Sequence, residues 1–154
     1  MRINKIILIT LLFFQFACGY KIANNIDSYK FNISKYELKG ERKINNILER
    51  NFKRLQKNSG SKKKFNIKSY SSINKSITSK NTSGDALTYE MGVFVEITLS
   101  KDNSLIKKIN FEEKTDYNSN SSKFELKQYE NILLQDLTDL IVLNINNYLG
   151  TIKW

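Results

Sequence analysis

Two periods organise the apolar positions of this chain, one of two residues and one near 3.6, and they alternate along its length. Leu87, Tyr89, Met91, Val93, Val95, Ile97 and Leu99 alternate with Thr88, Glu90, Gly92, Phe94, Glu96 and Thr98 without a break. Seven apolar positions at period two predict a long strand with one buried face, central in an antiparallel arrangement. Before it, Phe65, Ile67, Ile73 and Ile77 share one parity, with Ser69 and Ser71 between them, so this strand is weak at its centre. After it, Lys101-Asp102-Asn103-Ser104 reads as a hairpin turn leading back through Leu105, Ile106, Ile109 and Phe111 to Tyr117. A shorter, less regular strand is expected over Ser28 to Leu38, with Phe31, Ile33 and Tyr36 inward.

The longer period appears twice. Ile44, Ile47, Leu48, Phe52 and Leu55 form one apolar stripe, opposite Arg42, Lys43, Glu49, Arg50, Lys53, Arg54 and Lys57. This helix is expected to stop near Asn58-Ser59-Gly60-Ser61. Ser122, with Glu125 three residues on, has the form of a capping box and opens a second helix. Its expected stripe is Leu126, Tyr129, Leu133, Leu137, Leu140, Ile141, Ile145 and Tyr148, with Gly150 as the stop. The order β-α-β-β-β-α predicts an α+β fold: a two-layer sandwich of two amphipathic helices on a mixed sheet of about four strands. If the first two strands are parallel neighbours, their helical crossover should be right-handed.

The N-terminus stands apart from these rhythms. Met1-Arg2-Ile3-Asn4-Lys5 is basic, and Ile6 to Phe14 is apolar except for Thr10. Nine helical residues span only about 14 Å, too short for a bilayer core but right for a signal peptide. Ala17 precedes Cys18 and Gly19, an arrangement that resembles the bacterial lipobox, in which the thiol is acylated and becomes the new N-terminus. Gln15 departs from the aliphatic residue usual there, and it fits an ordinary secretory cleavage site less well still. The expected organisation is a signal peptide over 1–17, a lipidated tether over 18–27 and a single domain over 28–150.

Charge and composition narrow the chemistry. With one cysteine, no intramolecular disulfide can form, and the chain has no histidine. The commonest general base, metal ligand and nucleophile partner are therefore absent. Ser69, Ser71 and Ser72 lack a histidine base, and Gly60 and Gly84 are isolated turn glycines instead of a phosphate loop. Glu112 and Glu113 point to opposite faces of a strand, while Asp136 and Asp139 are expected on a solvated helix side. No enzyme, metal site or cofactor is expected. The formal net charge of +10 is unevenly spread: residues 21–80 hold 16 Lys and Arg against four acids, and residues 81–154 hold seven against 11. An AT-rich codon bias explains abundant Lys, Asn and Ile better than it explains this asymmetry. The candidate anion-binding cluster is Lys62, Lys63 and Lys64, with Arg50, Lys53, Arg54 and Lys57 on the preceding helix. For a single lysine, a solvated face is the simpler reading. A nucleic-acid platform of Tyr70, Phe65 and Phe111 is disfavoured by the export signal and by the core parity of both phenylalanines.

Taken in order, these segments resemble the LPS-assembly lipoprotein LptE family. The resemblance runs from Cys18-Gly19-Tyr20 through the short strand and the helix Arg42 to Lys57, then the strand Tyr89-Glu90-Met91-Gly92-Val93-Phe94-Val95-Glu96. It closes with Asp116-Tyr117, a polar loop and the long helix carrying Glu130 to Leu137. It implies a lipid-anchored protein of the outer membrane's periplasmic face, seated as a plug in a large LptD-like β-barrel and in contact with lipopolysaccharide. The alternative is another envelope lipoprotein, one that binds lipid, peptidoglycan or a different membrane complex.

Overall fold

A computed structural model describes residues 31–57, 64–102 and 104–152. The signal peptide, Cys18 and the tether lie outside the described residues, as do the expected helix stop at 58–61 and residues 28–30 of the first strand. The elements are β1 (Asn32–Gly40), α1 (Arg42–Gln56), β2 (Lys64–Lys80), β3 (Ala86–Lys101), β4 (Ser104–Asn118) and α2 (Lys123–Thr151). The α+β order inferred from periodicity is the observed one. The sheet runs β1-β2-β3-β4. β1 pairs with β2 in parallel, and β2, β3 and β4 form an antiparallel meander, so the sheet is mixed.

Parity decides the layers. Met91, Val93, Val95, Ile97 and Leu99 of β3 are all buried, and α1 and α2 cover that face. The outer face carries an ionic lattice instead: Lys108 to Glu96 at 2.9 Å, and Glu37 between Lys39 at 3.0 Å and Lys68 at 3.5 Å. Leu48, Phe52 and Leu55 of α1 pack with Phe31, Ile33, Phe65 and Ile67 in the core, with Phe31 stacked on Phe65 at 5.6 Å. Burying one such large side chain fully is worth roughly 1.5–3 kcal/mol.

The weak centre of β2 has a structural cause. β1 turns into α1 at Gly40 (φ 97°), where a Cβ would overlap the carbonyl oxygen of Ser71 on β2. That oxygen accepts the Glu41 N–H at 3.1 Å, and the Ser71 hydroxyl lies 2.8 Å from Asn45 Oδ1. A larger residue at 71 would block this close approach. The helices are tied by a buried reciprocal amide pair: Asn51 Nδ2 donates to Asn146 Oδ1 at 2.9 Å, and Asn146 Nδ2 donates to Asn51 Oδ1 at 3.2 Å.

The structure corrects the sequence reading of α2. Its buried face is Glu130, Leu134, Leu137, Thr138, Ile141, Ile145, Asn146 and Leu149, while the expected Tyr129 and Leu140 are about half exposed. Ile132 and Leu143 are exposed as well, so apolar and polar residues are mixed around this helix and periodicity cannot choose its inner side. Gly150 does not end the helix, which runs on to Thr151. Ser122 Oγ accepts the Glu125 N–H at 3.3 Å as a cap should, but Asn120 replaces Ser122 as the partner of the Glu125 side chain. Leu105 and Ile106, through which the return strand begins, are exposed at the hairpin tip.

Candidate functional site

Two places concentrate charge. The first is the exposed side of α1, where Arg50, Lys53, Arg54 and Lys57 follow one another at helical spacing opposite the buried Asn51, Phe52 and Leu55. The end of α1 meets the start of the sheet, because Asn32 Nδ2 donates to the Gln56 carbonyl at 3.2 Å and Asn32 is the register partner of Lys64. Lys57 and Lys64 therefore share one end of the domain. Lys62 and Lys63 lie outside the described residues. The cluster is not uniformly free. Lys53 is 2.8 Å from Glu49; the hydrogen bond and charge from Lys53 hold the Glu49 carboxyl below its usual range, and Glu49 raises Lys53 in return. Arg54 Nη2 donates to Asn51 Oδ1 at 2.9 Å, extending the buried amide pair to the surface. Lys53 and Arg54 also sit on the last turn of α1, where cations complement the helix dipole. Among the described residues, Arg50, Lys57 and Lys64 have no acidic partner and remain available to an anion.

The second place is the inner face at the opposite end of the sheet. Glu130 of α2 is buried, and its carboxylate takes a very short ionic hydrogen bond from Lys75 of β2 and a 2.9 Å bond from the Tyr117 hydroxyl of β4. The Lys75 ammonium lies 4.2 Å from the centre of the Tyr89 ring, which stacks on Tyr117 at 5.5 Å. Burial alone would push the Glu130 pKa up, but the bonds from Lys75 and Tyr117, with the charges of Lys75 and Lys127, outweigh it and hold the carboxyl low. Burial likewise opposes the Lys75 charge and is outweighed, so its pKa is raised. For Tyr117, burial and the Glu130 carboxylate push the phenol up to about 12. At neutral pH each group is locked in one protonation state, which suits structure and fixed charge better than proton transfer.

An open groove of about 210 Å³ runs beside this cluster, lined by Glu41, Lys43, Lys75, Lys127, Glu130 and Asn131 among others. Lys43 Nζ donates to Asn131 Oδ1 at 2.7 Å across the two helices. Sequence reasoning missed this site, although Lys75 has the inward parity of Ile73 and Ile77. Asp136 and Asp139 are exposed as expected, and Glu112 and Glu113 lie on opposite faces of β4. Phe65 is buried, Phe111 packs edge-on against Tyr148, and Tyr70 is exposed on the other face of the sheet; they form no stacking platform. Among the described residues, no group of three acidic or thiol side chains could hold a metal, and no helix is long and apolar enough to cross a membrane.

Solved structures share this architecture. Rare lipoprotein B from Shewanella oneidensis is similar at 14% identity over 76% of this chain and 94% of its own, with a TM-score of 0.54. A minor lipoprotein from Acinetobacter baumannii is similar at 12% identity over 79% of this chain and 91% of its own, with a TM-score of 0.55. An uncharacterized lipoprotein B from Nitrosomonas europaea is 17% identical over 86% of this chain and 90% of its own, also with a TM-score of 0.55. The structural neighbours are bacterial lipoproteins. At these identities the likeness shows the fold. No family model matches the sequence, and no curated protein matches it.

Proposed function

We propose that this protein is an envelope lipoprotein, anchored through Cys18 at the periplasmic face of the outer membrane, that acts as a non-catalytic plug and assembly factor for an LPS-exporting, LptD-like β-barrel. The observation that carries this reading is the conjunction of a leader ending at Ala17, directly before Cys18-Gly19-Tyr20, with a fold shared by lipoproteins. The surface supports it. Large barrels enclose polar interiors, and the outer sheet face is a lattice of paired charges. The phosphates and acidic sugars of lipopolysaccharide match the unpaired Arg50, Lys57 and Lys64, with Lys62 and Lys63 alongside in sequence. A single acyl chain gives marginal membrane binding, so stable anchoring calls for several chains or the barrel itself.

The test is affinity purification of C-terminally tagged protein from detergent-solubilised envelopes, with mass spectrometry of what accompanies it. A stoichiometric large β-barrel is the expected result. Recovery with peptidoglycan-linked or periplasmic proteins alone would overturn the barrel reading and favour another envelope lipoprotein. Charge reversal at Lys57 and Lys64 should weaken binding of purified lipopolysaccharide; undiminished binding would remove those residues from the site.

A further inference from the structure

Among the described residues, β4 is the last strand of the sheet and pairs only with β3, so along Ser104–Asn118 one side of its backbone is an unpaired edge. A typical strand has 5–6 residues, and an edge of 15 is a large template for strand addition unless something blunts it. Charged side chains are the usual blunting device, and β4 carries them in an unusual order. From residue 107 it reads Lys107-Lys108-Ile109-Asn110-Phe111-Glu112-Glu113. This is a charge palindrome about Asn110: two bases, an apolar residue, the centre, an apolar residue, two acids.

We infer that β4 is a self-complementary edge, on which a second copy of this chain adds in antiparallel register about a two-fold axis through Asn110, joining two four-stranded sheets into one of eight. In that register Lys107 stands opposite Glu113 of the second copy, Lys108 opposite Glu112, and Ile109 opposite Phe111, each pair occurring twice by symmetry. Parity agrees. Residues 107, 109, 111 and 113 lie on the helix-covered face, opposite Leu99, Ile97, Val95 and Val93 of β3, and 108, 110 and 112 lie on the outer face. Each opposed pair across the axis thus shares a face, as antiparallel pairing demands.

The neighbouring registers fail on charge. Sliding by two residues one way sets Lys108 against Lys114, and a further slide that way sets Glu112 against itself. Sliding the other way opposes Lys107 to Phe111 with no ion pair, then Lys108 to itself. The register centred on Asn110 brings opposite charges together in four places and like charges in none. Nor is this charge already spent within the sheet. Glu112 and Glu113 face Phe94 and Val93 on β3, and Glu113 accepts only the neutral Asn144 amide, at 2.9 Å. Lys107 faces Leu99 and lies 5.9 Å from the Tyr148 ring. Of the four, Lys108 alone has an ionic partner among the described residues, Glu96. A second observation points to the same seam. Because Asn144 and Tyr148 meet β4 residues, that side of α2 overlies the edge strand, and Leu140, one turn before Asn144, is 48% exposed there. A second copy across the axis would bring its own α2 toward this margin. The inference is independent of any barrel partner.

The test uses two variants of the full chain in mild detergent, followed by sedimentation. Glu112→Lys with Glu113→Lys makes all four positions basic, and Lys107→Glu with Lys108→Glu makes them all acidic. The unmodified chain should dimerise, and each variant alone should be monomeric, its dissociation constant raised at least about tenfold as attractive pairs become repulsive. Mixed together, the two variants should form a heterodimer, because every opposed pair is then complementary. Circular dichroism checks that both remain folded; should either not fold, Asn110→Cys in the otherwise unmodified chain replaces them, and it should form an intermolecular disulfide that Asn74→Cys on β2 does not. A monomeric unmodified chain, or variants that dimerise alone through another surface such as Ile132 and Leu143 of α2, would overturn the inference.

Discussion

Where β1 and β2 begin, the space beneath α1 is filled by Phe31, Ile33, Phe52, Leu55, Phe65 and Ile67, all of them buried. Where β2 runs out and β4 finishes, the space beneath the first half of α2 holds Lys75, Glu130 and Tyr117 instead. The two ends of one sheet face solve the same problem differently. At the apolar end, shape and dispersion do the work, and any missing atom leaves a void. At the polar end, each group depends on a named partner, so losing one member strands the others. The first kind of core gives stability, and the second fixes where α2 sits along the sheet.

The largest effect should come from emptying the apolar end. Phe52→Ala removes a fully buried ring that contacts Tyr36 at 5.9 Å, and it should destabilise the domain by about 3–5 kcal/mol in urea unfolding. A loss below about 1 kcal/mol would mean that the end collapses freely and the contrast is overstated.

Next comes the polar end. Glu130→Gln keeps the shape but leaves Lys75 without a counter-charge, for an expected loss of about 1–3 kcal/mol. The lower part of that range is favoured, because Lys75 is partly open to water. Converting the site with Lys75→Met and Glu130→Leu together should recover most of that loss, as buried ion pairs are often replaceable by apolar side chains. If the double change is no better than the single one, the cluster contributes stability in its own right. Acid sharpens the same point. The folded Glu130 pKa lies below the ordinary 4.5, so its contribution is present above that value and lost as pH falls through the folded one. Glu130→Gln should flatten the acid limb of the stability profile.

Much of this contrast was legible in the chain. The apolar end follows from parity in β3 and from the clean stripe of α1, since both elements are amphipathic and have only one way to bury. The basic side of α1 was equally readable, because a lysine-rich face has nowhere to go but out. The polar end was not. A glutamate on a helix is assigned outward by default, and α2 offers apolar residues on every side, so Leu134 and Leu149 could not be preferred over Tyr129 and Leu140. Lys75 did announce itself by standing between Ile73 and Ile77 at inward parity. Its partner became visible only when the fold brought residues 75, 117 and 130 together.

The smallest effects belong to Tyr117 and to the outer face, and they separate partnered burial from mere pairing. Tyr117→Phe removes one hydrogen bond to a carboxylate that keeps Lys75, for a loss of about 1 kcal/mol at neutral pH. The phenol titrates at about 12 when folded, against 10 when free, so its contribution is full below pH 10 and disappears between 10 and about 12. The phenylalanine variant should lose that limb, an absence that chemical denaturation across this range would detect. Lys114→Ala should do almost nothing. Its ammonium is 3.8 Å from Glu90 on the wet side of the sheet, where solvent screens the pair, and the change should stay within about 0.5 kcal/mol. An ion pair is thus worth most where its members have no water to fall back on. A loss at Lys114 equal to that at Glu130 would mean that the outer face is covered, and that the free domain is not the state in which this surface is used.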